Sequence, residues 1–477
     1  MAKNNIRYFV FVFAFVVLMI VSLFPFNTYA NDTDAWDGES VAIGFETGAG
    51  KKSNPYVIAS AEQFVYFARS VNDGTLNSGD YYILTSDIDL GGNEWVPIGL
   101  INQLTFSGTL DGCGHVISNF KITSSLESTR VGLFGIVNNP TTVIKNLTIA
   151  NASIEVTGLK SYAGALVGYL QGGATVSGCR IASDVTVTGV IGSTGGVAGR
   201  AVTSAIIEYT VNEATVSATG SSNLFVGGIA GVVGSDGYVN YCVNKGDVSG
   251  IRDGDGESEA IYVGGITGCF GASSTGGIVE NSYNSGTINS TVSAGGIIGF
   301  TNTEGNKINN CFNLSPTITG NSKYAGSIIG YIKNPLEITN CMSVTVSGLG
   351  TNGSAVSNSQ TSLSGLMVKT SEEVTAQTNA INEAIQANAE KEAEIVYNPT
   401  DEETTAADTT TAPVTSPTTT SSKTSSTAST TDASSTGQNS DDSDDGGNNS
   451  LIIIISVIVV IAVAAGIIVF ISQKKRK

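Results

Sequence analysis

The sequence predicts an all-β chain: a right-handed parallel β-helix (solenoid) with helical caps at each end, a disordered Ser/Thr-rich stalk and one C-terminal transmembrane helix. Three observations carry the prediction. A glycine-rich unit recurs seven times, with leading glycines Gly132, Gly164, Gly196, Gly228, Gly265, Gly296 and Gly326 spaced 32, 32, 32, 37, 31 and 30 residues apart. A second unit of β-branched residues follows each first one at a nearly constant offset, and no helical period runs through either. Composition agrees, with 57 Gly against 9 Pro and 13% charged residues, which excludes collagen and charged coiled coils.

The elements follow in chain order. Lys3 and Arg7 precede an apolar run from Phe9 to Phe26 and the small residues Thr28 and Ala30, so residues 1–30 read as a signal peptide. Residues 31–125 form an N-terminal capping region. Within it Ser60 and Gln63 make a capping box, and Phe64, Phe67, Ala68 and Val71 fall at i, i+3, i+4 and i+7, which predicts an amphipathic helix over about 60–72 suited to plugging one end of the stack.

Residues 126–345 are the repeats. One aliphatic slot holds Ile144, Val176, Ile207, Val239, Val279, Ile308 and Ile338, and three positions on a small slot holds Leu147, Cys179, Thr210, Cys242, Ser282, Cys311 and Cys341. Asn212, Asn244, Asn284 and Asn313 follow two residues later. A repeat this short cannot bury its apolar side alone and must stack on its neighbours. Equivalent positions of successive coils then lie ~4.8 Å apart in columns. The aliphatic slot is expected to point inward. The Asn slot is expected to be a left-handed corner that bonds its own turn, and the paired glycines to sit where a Cβ would clash. A β-propeller is the alternative, but its blades usually take ~40 or more residues.

Residues 346–399 read as a C-terminal cap, with a capping box at Thr370 and Glu373 opening a helix over about 371–393. From 400 to 450, 26 of 51 residues are Ser or Thr, with nine acids and one Lys, a stalk that cannot fill a core. Leu451–Ser472 carries no charge over 22 residues and is long enough to cross a bilayer. The basic tail at 473–477 places the C-terminus in the cytoplasm and the repeats outside the cell.

Taken with the segments Asn54-Pro55-Tyr56-Val57-Ile58, Asp87-Ile88-Asp89-Leu90, Trp95-Val96-Pro97-Ile98-Gly99 and Phe106-Ser107-Gly108-Thr109-Leu110-Asp111-Gly112, the repeat pattern over roughly residues 50–345 resembles the GLUG-motif repeats of bacterial surface proteins. The resemblance implies a β-helical, exported, adhesin-like protein. Some relatives join such repeats to a zinc peptidase domain, but this chain has no HExxH motif.

Chemistry is sparse. The net charge of −18 repels nucleic acid. A single histidine, His115, excludes two-imidazole metal sites and reads as a turn residue. Cys179, Cys242, Cys311 and Cys341 read as buried thiols, Cys311 and Cys341 being the pair in neighbouring coils; Cys113 and Cys269 have no evident partner. Asp253, Asp255, Glu257 and Glu259 form an acidic insertion, a candidate Ca²⁺ site against the plainer reading of a solvated loop. No other cofactor is expected. Tyr209, Tyr241, Tyr283 and Phe312 are the candidate binding residues, aromatic side chains at similar places near strand ends.

The expectation is therefore a non-enzymatic, membrane-anchored display protein that binds an extracellular glycan or protein. A carbohydrate-active β-helix enzyme, with two carboxylates close together on a lateral face, and a passive envelope scaffold are the alternatives.

Overall fold

Each inner coil of the repeat region folds into five short strands. In one coil these are Leu224–Gly227, Ala230–Gly234, Tyr238–Asn240, Val243–Asn244 and Val248–Arg252. The computed structural model describes residues 35–395 apart from 77–78, 101–102, 222, 255–259, 272–274, 322–323 and 345–365. The signal peptide, stalk, transmembrane segment and basic tail expected from sequence lie outside the described residues. Among the described residues no helix is long and apolar enough to cross a membrane.

Every strand pairs in parallel with its equivalent in the coils before and after, which builds a solenoid of right-handed type with about 8 turns. Four ladders result. Sheet 1 holds Leu224–Gly227 and its equivalents, sheet 2 holds Ala230–Gly234, sheet 3 holds Tyr238–Asn240, and sheet 4 takes the last two strands of each coil. At ~4.8 Å per coil, the stack is ~40 Å long.

The aliphatic slot is the inner wall of sheet 3. Ile144, Val176, Ile207, Val239, Val279, Ile308 and Ile338 stand in one register, coil upon coil. All are buried. The small slot beside it is buried too, so Leu147, Cys179, Thr210, Cys242, Ser282, Cys311 and Cys341 line the same interior.

The asparagine slot differs from expectation. Asn212, Asn244, Asn284 and Asn313 bond their own turns as expected, for example Asn244 Nδ2 donating to Gly246 O at 2.8 Å. They are strand residues, however, and their backbones are not left-handed. Their amides form a buried ladder, Asn212 donating to Asn244 at 2.8 Å, Asn244 to Asn284 at 2.7 Å and Asn284 to Asn313 at 3.2 Å. All four are fully buried, and each amide satisfies the next, which removes the cost of burying it alone.

The left-handed corner lies three residues earlier. Asn146, Gly178, Tyr209, Tyr241, Asn281, Asn310 and Asn340 all have φ between 45° and 63°. Outside the solenoid, Asn340 donates to Asn310 at 2.9 Å and Asn310 to Asn281 at 2.7 Å, a second amide ladder parallel to the buried one.

The first helix, α1 (Ala61–Asn72), closes the N-terminal end as expected. Ser60 Oγ accepts from Gln63 N, while the Gln63 side chain turns back to Ala59 N instead of completing the capping box. Its buried Phe64 and Phe67 pack against Trp95, Tyr82 and Phe106, with the Phe64 and Trp95 rings stacked at 5.4 Å.

The second helix, α2 (Ser371–Ala393), has the predicted bounds and a complete capping box at Thr370 and Glu373. It is not an end cap. Val374 and Ile381 bury against Phe312, Tyr283 and Val243 on the outer face of sheet 4, and Glu392 reaches Lys145 five coils earlier at 2.5 Å. The helix thus runs back along the flank as a strap. The reason is its shape: Val374, Thr378 and Ile381 make a stripe one side chain wide, which fits a shallow column and cannot fill the broad end that α1 fills.

A charge triad clips three coils together elsewhere. Glu213 accepts from Lys245 at 3.0 Å and also pairs with Arg180. Burial pushes the Glu213 carboxyl up, but the two cations outweigh it and hold it below the usual value of 4.5. A depressed folded value means stability that is fully present above pH 4.5 and lost as the pH falls from there through the lower value of the folded state. Glu213→Gln is expected to cost less than about 1 kcal/mol at pH 7, since both cations are half exposed, and the difference from wild type should vanish in urea melts at low pH.

Candidate functional site

The four aromatic residues singled out from sequence fall in two different columns. Tyr209 and Tyr241 occupy the left-handed corner, in register with Asn281 and Asn310, whereas Tyr283 and Phe312 lie in sheet 4 with Val211, Val243 and Met342. The small slot follows the tyrosine in Tyr-Cys at 241–242 and precedes it in Ser-Tyr at 282–283, a shift of two positions that moves the ring from corner to sheet. The sheet pair is also covered: Tyr283 is 6% exposed and donates its hydroxyl to Asn382 of α2 at 2.9 Å, and Phe312 is fully buried beneath the same helix. The Tyr209 and Tyr241 rings stack on one another at 5.1 Å and 4°, so each offers only one free face. These four do not make one binding row.

A longer aromatic row escaped the sequence reading. Sheets 1 and 2 meet at the paired glycines, and their outward side chains face each other across that tight turn. The sheet 1 column runs Arg130, Tyr162, Ser193, Phe225, Tyr262, Ser293, and the sheet 2 column runs Tyr169, Arg200, Val232, Cys269, Phe300, Tyr331. Phe225, Tyr262, Phe300 and Tyr331 stack in sequence at 5.7, 4.1 and 5.4 Å with near-parallel planes. Arg200 lies 4.1 Å from the Tyr162 ring in the same file. Most of these rings are half-buried, their edges open to solvent along the outside of the solenoid. The signal was present in sequence as the residue just after the closing glycine of four Gly-rich units, Tyr169, Arg200, Phe300 and Tyr331, and as the residue two places before the paired glycines, Phe225 and Tyr262.

One close pair of carboxylates stands on a lateral face, the arrangement an enzyme would need. Asp111 and Glu392 both bond the Lys145 ammonium, at 3.1 and 2.5 Å. Burial opposes the charge on Lys145, and the two carboxylates more than restore it, holding its pKa above the ordinary value. Asp111 is 2% exposed and also accepts from Cys113 N and Asn146 Nδ2. Every part of this cluster is committed to fastening α2 to the first coils. A small cavity of about 240 Å³ beside it is lined by Cys113, Gly178 and Ala389.

His115 Nδ1 lies 3.0 Å from Asp87 Oδ1, which also accepts from Val116 N, so the pair braces a turn. Cys113 turns its sulfur to Asp111 O at 3.7 Å. Of the acidic insertion only Asp253 is described, its backbone N–H donating to Gly220 O; Asp255, Glu257 and Glu259 lie outside the described residues.

The cysteines are free. Burial pushes the thiols of Cys179, Cys242 and Cys269 up to about 12 and that of Cys311 well above its ordinary value. Such thiols stay protonated and inert. Iodoacetamide at pH 8 is expected to modify only the exposed Cys113 in the native protein, and that slowly, because burial and Asp111 raise it to about 12. In denaturant without reductant all six should react. A count of four by mass spectrometry would mean that Cys311 and Cys341 are bridged.

No family model matches the chain. A stretch of 185 residues, 35% of this chain, is 31% identical to halomucin of Haloquadratum walsbyi. The chain spans about 2% of that protein's length. Among solved structures, a chain from Bacteroides ovatus described as a candidate immunoglobulin A1 protease is similar over 71% of this chain and 91% of its own, with 22% identity and a TM-score of 0.46.

Proposed function

We propose that the chain is a membrane-anchored, adhesin-like cell-surface protein of GLUG type, which holds a rigid β-solenoid away from the membrane and binds glycan or protein ligands on its flank. The observation that carries the reading is the file of half-buried aromatic and arginine side chains that follows the junction of sheets 1 and 2 through successive coils. A static surface of this kind is suited to recognition, because each side chain is fixed by the backbone ladders on both sides of it. The identity shared with part of halomucin supports a surface setting.

The enzyme reading is weaker on physical grounds. A glycosidase needs one carboxyl protonated and one free, with space for substrate between them, whereas Lys145 fills the space between Asp111 and Glu392. The decisive experiment is an array of glycans and extracellular-matrix proteins probed with the full-length chain. Reproducible binding to a defined subset is expected. Silence across the array would leave the passive scaffold in its place. Anchoring is checked separately, since removal of residues 451–477 should release the protein from membranes into the medium.

A further inference from the structure

In a chain of net charge −18, Lys145, Arg180, Lys245, Lys307 and Lys369 each pair with a carboxylate. Arg130 and Arg200 have none among the described residues. Arg200 donates Nε to Ser193 Oγ at 3.0 Å and lies 4.1 Å from the Tyr162 ring. Arg130 donates one terminal N–H to Ser128 O at 2.8 Å, lies 5.6 and 5.9 Å from the rings of Tyr162 and Tyr169, and leaves its buried Nε without a partner. The two tyrosine rings are 5.4 Å apart. Burial pushes the Tyr169 phenol up and the two arginines pull it back, with no carboxylate among the charges that act on it.

A guanidinium laid on an aromatic face keeps its edge N–H groups for something else, and at half-buried positions such as these those donors gain from an anion more than they would in open water. The backbone here is spoken for, because Ser161–Gly164 pairs with the coils on both sides and leaves no strand edge for a peptide to join. Recognition must come from side chains alone, and these are two cations and two phenols, with the buried Ser193 hydroxyl holding Arg200 in place. The acidic protein as a whole disfavours dense polyanions, which leaves a ligand carrying an isolated negative group among hydroxyls.

We infer that Arg130, Arg200, Tyr162 and Tyr169 form a site for a carboxylated sugar of an acidic glycan, with the guanidinium edges taking the carboxylate and the phenol hydroxyls taking the sugar hydroxyls. This rests on the surface-binding reading above and specifies its ligand.

The test titrates the full-length chain with methyl glucuronide, methyl glucoside and sodium sulfate. The glucuronide is expected to bind at least ten-fold more tightly than the glucoside, with binding falling at high salt and at least ten-fold in Arg200→Gln, while Arg200→Lys recovers part of it. Should Arg200→Gln lower the melting midpoint, Arg130→Gln carries the test, since its guanidinium stands farther from the Tyr162 ring. Equal binding of the two sugars, or unchanged binding in both variants, would overturn the site. Sulfate binding as tightly as the glucuronide would overturn the sugar assignment. If wild type and both Gln variants bind the same neutral glycans or proteins on the array, surface binding stands and this site falls; if wild type binds nothing there and no sugar in solution, both fall.

Discussion

Val239→Asp is expected to unfold the middle of the stack. Val239 is fully buried, and its column neighbours Ile207 and Val279, paired to it in register from the coils on either side, are buried with it. No polar side chain of that inner column could accept a charge, so the carboxylate is either ionised without a partner or protonated without a hydrogen bond. The cost should exceed about 4 kcal/mol, the range reached only by such mechanisms. Because a solenoid is held by contacts between adjacent coils, damage at one coil uncouples those on either side. Urea unfolding followed by circular dichroism should show a large fall in midpoint and a broadened transition. Limited proteolysis should cut near residue 239 before it cuts elsewhere. A transition like that of the wild type would mean that the column does not exist.

Gly228→Val should be nearly as damaging for a different reason. Its backbone is in an ordinary region, so no left-handed conformation is at stake. The obstacle is space: a Cβ would lie 2.2 Å from Asn244 Cγ and 2.3 Å from the carbonyl oxygen of Gly265 in the next coil. One contact breaks the buried amide ladder and the other forces two coils apart, and neither partner can rotate away. A loss of at least about 3 kcal/mol is expected. Gly178→Asn is the matched control. That glycine has φ of 63°, at the corner where Asn146 and Asn281 already sit, and a Cβ there would crowd only the end of the Asn146 side chain, at 2.7 Å, which can shift; an asparagine should be accepted within about 1 kcal/mol. If both substitutions proved equally harmful in thermal melts, the steric account of the paired glycines would be wrong.

The success of the sequence reading at the core and its failure at the surface have one origin. Spacing of the aliphatic and small slots is a periodic property, and in a stack of equivalent coils period translates directly into column, which is why Ile207, Val239 and Val279 could be placed in contact beforehand. Asn244 was recognised as a repeated turn-bonding residue, but its ladder partner and its extended backbone depend on where the neighbouring coil lies. Tyr241 and Tyr283 look equivalent because each stands beside the small slot, yet they flank it on opposite sides, and that shift of two residues exchanges an outward corner for a face beneath a helix.

What the chain alone determined, then, is the coil: its length, its inward residues, its close-packed glycines, and the bounds of α2 through Thr370 and Glu373. Only the folded molecule decided what the outside presents. The strap laid by α2 over Tyr283 and Phe312, the Lys145 clip that holds its far end, and the meeting of Tyr162 with Arg130 and Arg200 all join residues from different coils or distant segments. Local sequence carries no record of such distances, because they are fixed by the pitch of the stack and by which neighbouring face a narrow apolar stripe can cover.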